Sequence, residues 1–306
     1  MDSALPAQHR TGAAYLSTAT TLLRRIRHAH PTAGLLEAAD LHWWWRKARP
    51  TDGVPQLFWF DAAGRPEAAV IATDWDGAVA LDPIVMPDAT LAWRTQVMDD
   101  GLAHARACGF GAVDVVIDAA DLPLREVLRG RGFELAGGEG VAASAGISVV
   151  CAWLAAPARP ALSPLRGPYR LVDRRDTAAQ AHHMVRRSGV DVEARLRQSS
   201  LYRPELDLLV LDGDDTVAAY ALFWFDPATA TGLVEPLRTE DPHQGRGLAR
   251  HLLTAGIDRL ARLGAERVKI CYQPDNPAAR GLYLDVGFRP DRQSVVLTPR
   301  PGSRAG

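Results

Sequence analysis

One helix–strand–helix pattern occurs twice in this chain, and that repetition limits the fold more than any bulk property does. In the second half, apolar residues at helical spacing over Leu248–Leu263 stop at Gly264, a helix-ending signal. Arg267–Tyr272 then reads as a strand, Gln273–Asn276 as a turn, and a short helix runs to Gly287-Phe288. In the first half a helix ends at Gly109, Val113–Ile117 reads as a strand, and a short helix runs to Gly132-Phe133. Gly109 to Gly132 and Gly264 to Gly287 are the same 23 residues apart. The matching order and spacing point to an internal duplication.

Between the halves, Ala155–Pro168 carries Pro157, Pro160, Pro164 and Pro168. Proline fixes φ and removes a backbone donor, so the segment reads as an extended linker. The expected division is a domain over 1–154, a linker over 155–168 and a domain over 169–306, which suits a chain of 306 residues. Each half opens with helical stretches: Ala13–His28 and Leu35–Arg46, then Asp176–Arg187 and Asp191–Ser199. Strand signals follow at Leu57–Phe60, Ala68–Thr73 and Ala78–Val85, and again at Leu206–Leu211, Val217–Trp224 and Gly232–Leu237. The order predicts an α/β chain of two tandem domains, each a mixed, mostly antiparallel sheet flanked by helices.

Bulk properties exclude more than they assign. The formal net charge is −1, which argues against nucleic acid or an anionic membrane as partner. Cys108, Cys151 and Cys271 are too few and too scattered for a disulfide framework or a zinc site, and no metal is expected. They read as reduced thiols in a cytoplasmic protein. Met1–Pro6 has neither the basic stretch nor the apolar run of a secretory leader, and no apolar run is long enough to span a bilayer. Lys47 and Lys269 are the only lysines, and alanine is abundant, a pattern typical of GC-rich bacterial genomes.

The informative stretch is 234–253, where a strand runs into a loop with two glycines and a helix begins at once. The first N–H groups of a helix have no intrahelical partner, and the helix dipole adds positive potential there. Such a site suits a pyrophosphate, and Gly245 and Gly247 let its oxygens approach the main chain. The alternative is a tight strand-to-helix turn with no ligand. The loop is neither the dinucleotide fingerprint nor a Walker loop.

Here the sequence resembles the GNAT superfamily of N-acetyltransferases. Gln244-x-x-Gly247-x-Ala249 matches its Gln/Arg-x-x-Gly-x-Gly/Ala signature, and Asn276 to Phe288 resembles its downstream segment, including Leu282-Tyr283 and Gly287-Phe288. The resemblance covers residues 168–295, with a weaker echo in the first half. It implies transfer of an acetyl group from acetyl-CoA to a primary amine. The amides of Gln244, Gly245, Arg246, Gly247, Leu248 and Ala249 would hold the pyrophosphate of coenzyme A. The main chain of Leu237 and Thr239 would pair with the pantetheine arm, and Asn276 would help position it. Tyr283 would stand near the thioester sulfur and donate a proton to the departing thiolate. An amine attacks only when neutral, and its ammonium form has a pKa of about 10, so a base is needed. Relatives often carry it two residues before Glu235, where this chain has Leu233; positions two apart on a strand share a face, which makes Glu235 the candidate.

An offset of 155 residues places Leu128 at Tyr283, Asp121 at Asn276 and Ala89–Arg94 at the glycine loop. Leu128 cannot donate a proton and Ala89–Arg94 has no glycine, so the first half is expected to be a degenerate copy without catalysis. This tandem layout is similar to that of mycothiol synthases. Trp43-Trp44-Trp45 reads as packing against a core or partner domain, or as a wall for ligand stacking. His182-His183 reads as a solvated helix face, or as substrate contact or proton relay. The expected acceptor is a small-molecule amine and the expected state a monomer or homodimer. The alternatives are a noncatalytic CoA-binding or interaction module, or acetylation of a peptide or protein amine.

Overall fold

The computed structural model describes residues 6–136 and 147–300. Residues 1–5, which enter the reading of the N-terminus, lie outside it. In chain order the first half comprises β1 (Gln8–Arg10), α1 (Gly12–Ala29), α2 (Ala38–Trp45), β2 (Gln56–Phe60), β3 (Pro66–Trp75), β4 (Ala78–Val85), α3 (Leu91–Ala107), β5 (Asp114–Asp118), α4 (Leu122–Gly130) and β6 (Phe133–Leu135). The rest comprises β7 (Ile147–Ala155), β8 (Arg170–Asp173), α5 (Val185–Ser188), α6 (Val192–Arg197), β9 (Asp207–Leu211), β10 (Val217–Asp226), β11 (Thr231–Thr239), α7 (Leu248–Arg262), β12 (Arg267–Tyr272), α8 (Pro277–Val286) and β13 (Arg289–Pro299).

These elements form two compact units whose chain segments interleave. One unit is Met1–Leu36, Arg49–Val150 and Arg292–Gly306; the other is Glu37–Ala48 and Cys151–Asp291. A linear reading divides the chain once, whereas here α2 belongs to the second unit and most of β13 to the first. In the first unit the strand order is β1-β2-β3-β4-β5-β13, with β6 beside β13. All its described pairings are antiparallel except β4 with β5. Val97, Met98 and Leu102 of α3 pack with Val115, Ile117 and Leu128 in its core.

In the second unit the order is β8-β9-β10-β11-β12-β7. Strands β8 to β11 pair antiparallel, and β11 with β12 is parallel. Helix α7 lies against β10 so closely that a Cβ at Gly256 would stand 2.0 Å from the Phe223 ring. The proline-rich segment is tied to α7, with the Ser163 N–H donating to Thr254 Oγ1 at 3.0 Å.

The two short helices after β5 and β12 begin alike. Asp121 Oδ1 accepts the Leu124 N–H and Asn276 Oδ1 accepts the Ala279 N–H, each with proline in the first turn. That is the pairing the 155-residue offset requires. Residues 176–187 depart from expectation: they form turns, and only Val185–Ser188 is helical. Buried Arg174 donates to the carbonyls of Thr177 and Gln180, and the Thr177 carbonyl also accepts the Gln180 N–H at 2.9 Å, a tight turn in place of a helical ladder.

Candidate active site

The site is built where β11 leaves β12. Parallel pairing joins Thr231 to Arg267 and Val234 to Ile270, and β11 then continues to Thr239 along β10 alone. The register shifts opposite Glu235-Pro236, whose peptide bond is cis. The Glu240 N–H donates to the Ala218 carbonyl at 2.9 Å. Main-chain groups alternate in direction along a strand, so those of Leu237 and Thr239 face away from β10, into the gap left by β12.

At the end of β11 the chain turns through Gly245 at φ +72° and Gly247 at φ +80°, a left-handed conformation that favours glycine. Gly247 is the N-cap of α7 and provides no side-chain cap. Among the described residues, the N–H groups of Gly245, Arg246, Gly247, Leu248 and Ala249 meet no acceptor. A Cβ at either glycine would meet nothing within 4 Å. The Gln244 N–H differs, turning back to the Asp241 carbonyl at 3.4 Å. Asn276 is exposed, and its Oδ1 is committed to capping α8.

Glu235 and Tyr283 share the splayed end of the sheet. Burial pushes the Glu235 carboxyl up to about 7, and Asp40 adds to the rise, against Arg46, Lys269 and a hydrogen bond from the Trp43 indole. The Glu235 residue as a whole is only half-buried. Desolvation is still the dominant cause, because protein surrounds the carboxyl itself. Burial pushes the Tyr283 phenol up to about 12, with the Glu235 charge the next cause. Its ring packs edge-on to Tyr272 and tilts against Phe288.

Three contributors were not legible in sequence: Asp40, the Trp43 N–H and Lys269. Lys269 Nζ lies 2.8 Å from Asp40 Oδ2, with side chains 2% and 5% exposed. The available signal was a rare lysine in the apolar strand Arg267–Tyr272. Of the tryptophans, Trp43 is buried beneath the Arg46 guanidinium, which stands 3.1 Å from its ring centroid.

Residues 174–288 match the acetyltransferase (GNAT) family model. The matched segment, residues 174–288, belongs to the GNAT family. A mycothiol acetyltransferase of Beutenbergia cavernae is 33% identical over 99 residues, spanning 32% of this chain and 33% of that protein. A mycothiol acetyltransferase of Clavibacter michiganensis subsp. michiganensis is 26% identical, covering 87% of this chain and 92% of its own. A tandem GNAT protein from the clavulanic acid biosynthesis pathway shares the fold with a TM-score of 0.68 at 13% identity, covering 96% of this chain and 97% of that one. A GCN5-related N-acetyltransferase from Sphaerobacter thermophilus gives 0.59 at 17% identity, covering 97% and 98%.

Within the matched segment the two adjacent histidines are buried rather than solvated, and their rings stack at 4.4 Å. The Met184 N–H donates to His182 Nδ1, which leaves the proton on Nε2 to donate to Asp207 Oδ2 at 3.0 Å. Asp207 Oδ2 also accepts from the Tyr202 hydroxyl at 3.0 Å. His183 Nε2 stands 3.3 Å from Asp207 Oδ1, and burial pushes His183 down to about 4. The three side chains converge as metal ligands do. The His182 tautomer ties only His182 to Asp207, while both His183 ring nitrogens and Asp207 Oδ1 are buried without a hydrogen-bond partner among the described residues.

In the first GNAT-like unit, β4 and β5 also part after a short parallel pairing. A cavity of about 290 Å³ opens there, bordered by Asp82, Met86, Arg94, Asp118, Asp121 and Arg292. Where the second unit has free loop amides, the first has Thr90 Oγ1 accepting the Trp93 N–H and Arg94 paired with Asp121. Among the described residues, no helix is long and apolar enough to cross a membrane.

Proposed function

We propose that residues 169–306 form the catalytic domain of an acetyl-CoA-dependent N-acetyltransferase acting directly on a primary amine of a small molecule. In this reading residues 1–154 are a copy that has lost catalysis and the segment 155–168 is a linker, in a cytoplasmic protein. The observation that carries it is the run of unpartnered main-chain donors from Gly245 to Ala249 at the end of a splayed strand. The two mycothiol acetyltransferase relatives support a small-molecule acceptor.

The residues fit coenzyme A. The free amides, the open space at both glycines and the dipole of α7 suit a diphosphate. Gln244 completes the loop by its side-chain bond to Asp241 rather than by its amide. Leu237 and Thr239 offer strand-edge hydrogen bonds to an extended arm. Asn276 shapes the other wall by starting α8. Acetyl-CoA bound there supplies the acetyl group as a thioester. Glu235 accepts a proton from the acceptor ammonium, leaving a neutral nucleophile. Tyr283 presents its phenolic hydrogen to the leaving sulfur.

Gly247→Val tests the anchor. A β-branched residue at φ +80° is strained by about 1–2 kcal/mol and adds bulk within the loop. CoA affinity, measured by calorimetric titration, should fall at least about tenfold, equivalent to ~1.4 kcal/mol. Unchanged affinity in a folded variant would remove the loop from the site.

A further inference from the structure

We propose that the buried Asp40–Lys269 ion pair, in register beside the Glu235 strand, and the Trp43 indole that donates to Glu235 are positioning groups for that carboxyl, which makes α2 part of the catalytic unit's chemistry. The inference rests on the reading of Glu235 as the base.

A buried ion pair is a poor device for holding a helix, since apolar residues of equal volume do as well or better. Helix α2 has other fastenings. The Trp45 indole donates to Gln198 Oε1 at 2.9 Å, His42 Nδ1 meets Ser199 Oγ at 2.5 Å, and Arg46 Nε donates to Ser188 Oγ at 3.2 Å. What the pair adds is fixed charge in a low-dielectric space, where it acts on any third ionisable group nearby. Lys269 is held from β12, beside Leu233, two residues before Glu235. Asp40 Oδ2 is held both by Lys269 and by the Glu37 N–H at 2.6 Å.

Among the described residues, the charged and titratable groups that act on Glu235 are Asp40 from α2, Arg46 at its C-terminal end, Lys269 from β12 and Tyr283 from α8. Asp40 opposes the carboxylate, while the Trp43 N–H stabilises it. These influences have opposite signs. Asp40→Asn removes a negative charge and lowers the Glu235 pKa. That sign survives even if Lys269 then loses its proton, because Asp40 acts on Glu235 more strongly than Lys269 does. Trp43→Phe removes the donor, keeps the aromatic packing and raises it.

The experiment measures kcat/KM from about pH 5 to about pH 9 at saturating acetyl-CoA. It compares wild type, Glu235→Gln, Asp40→Asn and Trp43→Phe, with thermal melts of each. In wild type the rate should fall as pH drops through about 7, because the protonated carboxyl cannot accept a proton. Glu235→Gln should lose this limb. Asp40→Asn should move it down, and Trp43→Phe up, by at least about half a pH unit each. Loss of rate without movement, or movement of both variants in one direction, would overturn the proposal while leaving Glu235 as base. Retention of the limb in Glu235→Gln would instead overturn the underlying reading, and the proposal with it. If Asp40→Asn does not fold, the Trp43→Phe limb alone decides: an upward shift supports the proposal, and no shift overturns it.

Discussion

Tyr283→Phe should lower kcat by about 100- to 1,000-fold while CoA affinity and melting temperature stay near wild type. The substitution removes one oxygen and keeps the ring. The packing against Tyr272 and Phe288 therefore persists in a side chain that is 7% exposed. The phenol's pKa of about 12 keeps its hydrogen in place at neutral pH, and part of that rise comes from the Glu235 charge. Proton uptake by Glu235 removes that charge, so the base step makes Tyr283 a better donor when sulfur departs. Steady-state kinetics with CoA titration checks this. A kcat within about threefold of wild type would show that thiolate departure needs no such donor.

Lys269→Met should be the most destabilising single change at the site. It leaves the Asp40 carboxylate in a position 5% exposed with its cation gone, and breaking such a pair costs about 3–5 kcal/mol. The effect comes from the unpaired buried charge, since α2 keeps its other fastenings. Denaturant unfolding should show the loss, and the double variant Asp40→Leu/Lys269→Met should recover much of it, because two apolar groups leave no orphaned charge. A Lys269→Met protein with wild-type stability would contradict this account of the pair.

Strands with strong alternation or apolar runs were legible to within a few residues. Ala78–Val85 and Arg267–Tyr272 are observed with the expected ends. The glycine loop was legible because left-handed backbone and free amides leave a local signature in residue types. The segment 176–187 departs from the helical reading where tight turns, braced by the buried Arg174 guanidinium from outside the segment, replace the helix. The burial of His182 and His183 follows from the same departure, since off the helix both turn toward Asp207. Helix α2 gave a helical pattern but no sign of its destination, because Asp40 and Lys269 are 229 positions apart. Strand β13 was missed because its first residues are polar and proline-containing, and its pairing with β5 joins opposite ends of the chain. Local chemistry was readable, whereas the electrostatic surroundings of Glu235 were assembled from segments that carry no mutual pattern.

The most direct test of the central claim is a crystal structure with acetyl-CoA at saturating concentration. The diphosphate should accept hydrogen bonds from the amides of residues 245–249, with the thioester between Glu235 and Tyr283. Diphosphate bound at residues 89–94 instead, or an empty loop at 245–249, would contradict the account.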